Sequence, residues 1–121
     1  MGHLRIDIMV RGTKNQKELK DVLIDTGANY TFLPESIMEE IGASIIPGLI
    51  DVELRDGRIA KAKSYGVRIK IKDAEAPCIA LTFDGAKTVI GMETLESAGL
   101  KLDPVSETLE FTRPKGMAYF Y

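Results

Sequence analysis

An aspartate stands where a strongly apolar run stops. Val22-Leu23-Ile24 leads directly into Asp25, and Thr26, Gly27 and Ala28 follow. Three apolar residues ahead of the carboxylate put it at the margin of a core with limited water. Burial there disfavours the ionised form, so the group is either paired or put to use. Gly27 lets backbone approach a ligand more closely than any residue with a β-carbon, and Thr26 offers a hydroxyl that can fix neighbouring backbone. An aspartate after a strand also serves as a plain turn former or helix cap. The apolar lead-in and the glycine set Asp25 apart from that case.

The rest of the chain narrows the chemistry. There is one cysteine, Cys78, and one histidine, His3. Cys78 lies between Pro77 and Ile79-Ala80-Leu81 and reads as a small buried apolar residue rather than a nucleophile. His3 sits near an end, so Cys/His catalysis and histidine-bound metal fit poorly. The 121 residues suit one domain, 1–121, and 45% apolar with 28% charged residues is ordinary globular composition. Net charge is −2 with both signs interspersed, so no basic footprint for nucleic acid is present. Apolar stretches are too short to span a membrane. The opening residues lack the apolar centre of a signal peptide, and a single cysteine makes no internal disulfide, so the expected location is the cytoplasm.

Several elements must position Asp25. Ile6, Ile8 and Val10 alternate with Arg5, Asp7 and Met9 as in a half-buried strand. A second strand is expected from about Lys17 to Ile24, apolar on both faces at its end and therefore central. A short strand follows at Tyr30–Leu33, then a helix opened by Pro34, with Ile37, Met38 and Ile41 on its apolar face and Gly42 as its stop. Residues 51–72 carry a hairpin signal, in which Asp56-Gly57 supplies a two-residue type I′ turn. That register sets Arg55 opposite Arg58 and Leu54 opposite Ile59, so the tip is expected to project into solvent. Val67, Ile69 and Ile71 continue as a one-sided strand. Further strands are expected at Ile79–Phe83 and Lys87–Ile90, a helix over Met92–Ala98 ending at Gly99, and a closing hairpin from Leu100–Leu102 and Leu109–Phe111. The fold class is nearly all β, mostly antiparallel, with two short helices. A strand, a glycine-containing turn and a short helix occur at Val22–Gly42 and again at Thr88–Gly99, a weak internal echo.

Four segments in order carry a family resemblance. "LIDTGANYTFLP" resembles the active-site segment of retropepsin-like aspartic proteases, the single-lobe family that includes retroviral proteases and their cellular and microbial relatives. "VELRDGRIAKA" resembles the family's flap hairpin, "TVIGMETLESAGLKLD" its strand–Gly–helix region, and "KLDPVSETLEF" a closing hairpin of cellular members. The match spans about residues 5–112.

The resemblance implies a closed, barrel-like lobe with a flap at about 51–65, acting as an aspartic endopeptidase on peptides or unfolded protein with no metal or organic cofactor. Two carboxylates within hydrogen-bonding distance hold one proton between them and titrate as a unit. This chain has one Asp-Thr-Gly and no Asp-Ser-Gly, so the implied pair is Asp25 and its copy in a homodimer. Thr26, Gly27 and Ala28 would support the site, Thr26 by bonding across the dimer axis and Gly27 by holding peptide through its carbonyl. Leu54, Asp56, Gly57 and Ile59 would form the substrate-contacting flap tip, with Arg55 and Arg58 facing solvent or acidic substrate groups. Ile90 and Gly91 would form the second-half core turn. Ala28 lacks the hydroxyl that favours the charged aspartate in some relatives, so activity is expected to reach nearer neutrality. Met92 stands where retroviral members carry an interface arginine, and Glu93 reads as a helix-start acid. A rival reading keeps this fold for peptide capture or dimerisation with little turnover. The aromatic tail within 113–121 is expected to lie on the body or against a partner.

Overall fold

A computed structural model describes residues 4–113; His3 and the aromatic residues of the tail lie outside them. The alternating N-terminal residues form β1 (Leu4–Arg11), antiparallel to β2 (Gln16–Ile24). After the Asp25 loop come β3 (Thr31–Phe32), α1 (Glu35–Ile41), β4 (Ser44–Glu53), β5 (Ile59–Ile71) and β6 (Ala74–Thr82). The chain continues through β7 (Val89–Ile90), α2 (Met92–Ala98), β8 (Leu100–Asp103) and β9 (Thr108–Phe111).

Seven strands form one sheet in the order β1-β2-β7-β3-β6-β5-β4, and β1 also pairs with β5. That extra pairing closes six strands into a ring and leaves β4 as an edge. Inward residues fill the ring: Val10, Ile24, Ile69, Ile71 and Ile90 are fully buried. Burying each such side chain stabilises the fold by roughly 1.5–3 kcal/mol. Both helices end on a left-handed glycine, Gly42 at φ 71° and Gly99 at φ 74°, where no β-carbon opposes that conformation. β8 and β9 form the closing hairpin as a separate two-stranded sheet. Among the described residues, no helix is long and apolar enough to cross a membrane.

Two expectations are corrected. β6 begins at Ala74 rather than Ile79. Its first half is built from small residues, Ala74, Ala76 and Cys78, which pack inward against β5 without a large apolar signal. Pro77 is tolerated because β6 meets β3 only at Ala80 and Leu81, so one side of the strand is open there.

The second correction concerns the hairpin tip. Glu53, not Leu54, pairs with Ile59. Gly57 N–H donates to Leu54 C=O at 2.9 Å, Leu54 N–H to Arg58 C=O at 2.8 Å, and only Gly57 has positive φ, 90°. The tip is therefore a three-residue loop, a β-turn through Arg55 and Asp56 followed by a left-handed glycine. Asp56 settles the choice by binding Arg58 twice, accepting its N–H at 3.0 Å and its Nε at 2.7 Å. Those bonds, the backbone one foremost, lower the Asp56 carboxyl below its ordinary value. A one-residue slip exchanges the faces of a strand pair, so Arg55 no longer opposes Arg58.

Cys78 is buried in the core cluster, and burial pushes its thiol up to about 12. The thiolate is the reactive form. The folded protein at pH ~8 should therefore leave a disulfide-exchange reagent unreacted for hours, and labelling should become rapid in denaturant. Prompt stoichiometric labelling of the native chain would show the thiol to be accessible.

Candidate active site

The loop after β2 is held by backbone bonds on both sides. Asp25 N–H donates to Ile90 C=O at 2.9 Å, extending the parallel pairing of Leu23 with Val89 and Ile24 with Ile90. Ala28 N–H turns back to Asp25 C=O at 3.0 Å. Farther on, Met92 and Glu93 N–H groups donate to the carbonyls of Ala28 and Asn29, both at 2.8 Å. The two halves of the internal echo thus lie side by side, each satisfying the other's backbone.

Gly91 makes this approach possible. A β-carbon there would lie 2.3 Å from Tyr30 O and 2.9 Å from Ala28 O, inside backbone atoms. Beneath it, Thr31 and Thr94 share a 2.6 Å hydroxyl bond, and Thr31 Oγ1 accepts Gly91 N–H at 3.1 Å. Both threonines are buried, and their hydroxyls satisfy each other where solvent does not reach. Sequence reasoning did not single out this pair; two threonines in otherwise apolar strand and helix faces are its signal.

Asp25 is 8% exposed. Its Oδ1 accepts Gly27 N–H at 2.9 Å, and its Oδ2 forms an ion pair with Arg55 Nη2 from the hairpin tip. A buried carboxylate needs such partners, because an unpaired one loses its hydration without replacement. The expectation that Arg55 faces solvent or acidic substrate groups did not include this contact: the side chain is largely exposed, and the one-residue change of register brings its guanidinium to Asp25. Thr26 is exposed, and its hydroxyl makes no hydrogen bond among the described residues; Ala28 is half-buried.

Asp25 and the hairpin enclose a cavity of about 960 Å³. Gly27, Ala28 and Leu54 line it, whereas Asp56, Gly57 and Ile59 do not. Ile59 points outward at 60% exposure, and Ile90 is fully buried behind the loop. An apolar wall that sequence reasoning missed comes from Phe32, Leu81, Phe83 and Val89, with the two phenylalanine rings edge to face at 5.9 Å. Period two was its signal, since Leu81 and Phe83 occupy one face. Met92 packs on the core. Glu93, in the first turn of α2, accepts Ile79 N–H at 3.3 Å and Ser97 Oγ at 3.0 Å. Among the described residues, no cluster of three or more metal-ligating side chains forms. The arrangement presents one shielded carboxylate in the lining of a cavity that is otherwise apolar, basic or exposed to solvent.

A family model described as aspartyl protease matches residues 10–94, well over half of the chain. No curated protein matches it. Among solved structures, EIAV protease complexed with the inhibitor HBY-793 is similar, with a TM-score of 0.64 over 84% of this chain and 92% of that one. Sequence identity to it is 22%, so the likeness speaks for the fold. With the Asp-Thr-Gly loop and the closed β ring, these matches identify the chain as a member of the aspartyl protease family with a retropepsin-like fold.

Proposed function

We propose that this protein is an aspartic endopeptidase whose catalytic pair is Asp25 from each of two copies. One observation carries the reading: the Asp-Thr-Gly carboxylate is shielded at the floor of a peptide-sized cavity. The other lining carboxylates, Asp51 and Glu53, are exposed on the hairpin, and Asp51 is held by Lys61 at 2.6 Å. Neither suits a shared-proton pair with Asp25. A two-fold dimer supplies the missing acid, because a self-complementary interface brings the same loop against itself. Thr26 is exposed and its hydroxyl has no hydrogen-bond partner among the described residues, which leaves it available to such an interface.

In the pair, two adjacent carboxyls cannot both ionise and share one proton. The charged member takes a proton from a water lying between them as that water attacks the peptide carbonyl. The neutral member hydrogen-bonds the carbonyl oxygen, and the proton taken from water passes to the departing nitrogen. The β4–β5 hairpin acts as the flap, covering the peptide and excluding water. The bound chain lies extended, its backbone held by Gly27 C=O and by flap backbone.

A second reading, peptide capture without turnover, draws on Arg55: a guanidinium on the carboxylate opposes proton sharing. Incubation with an unfolded protein from about pH 3 to 8, with and without pepstatin, separates the two. The endopeptidase yields fragments that pepstatin suppresses, and gel filtration gives a dimer at the active concentration. A monomeric chain that still cleaves would contradict the shared pair.

A further inference from the structure

We infer that Arg55 determines substrate specificity: its guanidinium rests on Asp25 in the free chain and passes to an acidic side chain of the bound peptide. The inference rests on the endopeptidase reading and names the substrate class for the same site.

The ion pair is asymmetric. The Arg55 side chain is 76% exposed, while that of Asp25 is 9% exposed. The loop carrying Asp25 is locked by backbone bonds to Ile90 and Met92, so the aspartate stays and the arginine moves. A peptide placed for hydrolysis needs Asp25 Oδ2 for water, and it therefore displaces the guanidinium. The released guanidinium stays at the cavity, where a bond to another anion is the strongest contact open to it.

The acid nearest in sequence is taken. Asp56 binds Arg58 through both carboxylate oxygens. Asp51, farther up the hairpin, binds Lys61. Three cations line the cavity, Arg55, Arg58 and Lys87, and Lys87 has no ion-pair partner among the described residues. Arg55, the one of these cations that contacts Asp25, is free to form a two-pronged bond to a substrate carboxylate. A peptide with Glu or Asp beside the scissile bond thus replaces the partner that Arg55 gives up, whereas Gln or Asn leaves it only the exposed Glu53 or solvent.

The test uses the full chain and uncleavable peptides, each with a reduced CH₂–NH link between two apolar residues that suit the phenylalanine wall. Glu or Gln is placed in turn at the two positions on either side. Calorimetric titration should show at least one position where Glu binds about tenfold tighter than Gln, the size of one charge-assisted hydrogen bond. In Arg55→Gln the two should bind equally, and Arg55→Lys should keep part of the preference. Arg55→Gln leaves the buried Asp25 carboxylate without its ion-pair partner, so a lower melting temperature is expected for it than for Arg55→Lys, and the titrations are run at a temperature where each variant is folded. Equal affinities in the wild type would overturn the inference, placing the released arginine on Glu53 or in solvent. A preference surviving in Arg55→Gln would overturn it as well, assigning the recognition to Arg58 or Lys87, and so would absence of binding. If the acidic peptides bind as stated but no cleavable version is hydrolysed, the endopeptidase reading fails while the role of Arg55 stands.

Discussion

An Asp25→Asn chain should hydrolyse peptides at least about 10⁴-fold more slowly than the wild type, with its fold intact. Asparagine keeps the shape of the carboxyl group and still offers Oδ1 to Gly27 N–H, the 2.9 Å bond that orients the side chain. What it cannot do is accept a proton from water or share one with its twin, and losses of that order follow removal of a group that acts as a unit with its partner. The substitution also faces the Arg55 guanidinium with an amide, so the ion pair is lost. The desolvation cost of the charge goes with it, and the two changes in stability oppose each other.

The same variant tests whether the pair is shared. Mixing equal amounts of wild type and Asp25→Asn under conditions that exchange subunits should make wild-type homodimers about a quarter of all dimers. Activity per total chain then falls to about a quarter, because a mixed dimer carries one carboxyl. Activity of about a half would mean that each copy works alone. Retention of cleavage in the pure variant would show that Asp25 is not the catalytic acid.

Gly91→Ala should be the most destabilising single methyl in the chain's active-site region. The added carbon meets backbone, Tyr30 O at 2.3 Å and Tyr30 C at 2.5 Å, so no side-chain rotation relieves it. The loop must move away from β7, breaking the bonds from Met92 and Glu93 to Ala28 and Asn29. A cost of about 3 kcal/mol is expected for overpacking against fixed atoms. For a domain of this size that corresponds to a fall of roughly 10 °C in Tm. Activity should fall with it even at temperatures where the variant is folded, since Asp25 is displaced with its loop. Gly57→Ala gives the contrast. Nothing lies within 4 Å of a β-carbon there, and only the φ of 90° is unfavourable, a penalty of about 1 kcal/mol. Thermal melts of the two variants that coincide would mean that crowding at Gly91 is absorbed by the loop.

Period and punctuation alone were enough to make much of this protein legible. Alternation at Ile6, Ile8 and Val10 marked β1, and the run ending at Ile24 marked a central strand. The glycines at 42 and 99 marked the ends of both helices. These are local signals: each depends on a few neighbouring side chains meeting one buried face or one backbone conformation. The family, too, was legible, because the Asp-Thr-Gly loop and the strand–Gly–helix segment keep their order and spacing. Tertiary structure decided what depends on contacts distant in sequence. Small residues made the first half of β6 a strand because β5 and the core lay beside them. Thr31 met Thr94 across 63 positions, and Gly91 met Tyr30 backbone across 61. Most consequential was the hairpin tip, where Asp-Gly fits two loops that differ by one residue. Asp56 binding Arg58 selected the longer loop, and that single step of register set the guanidinium of the exposed Arg55 against Asp25.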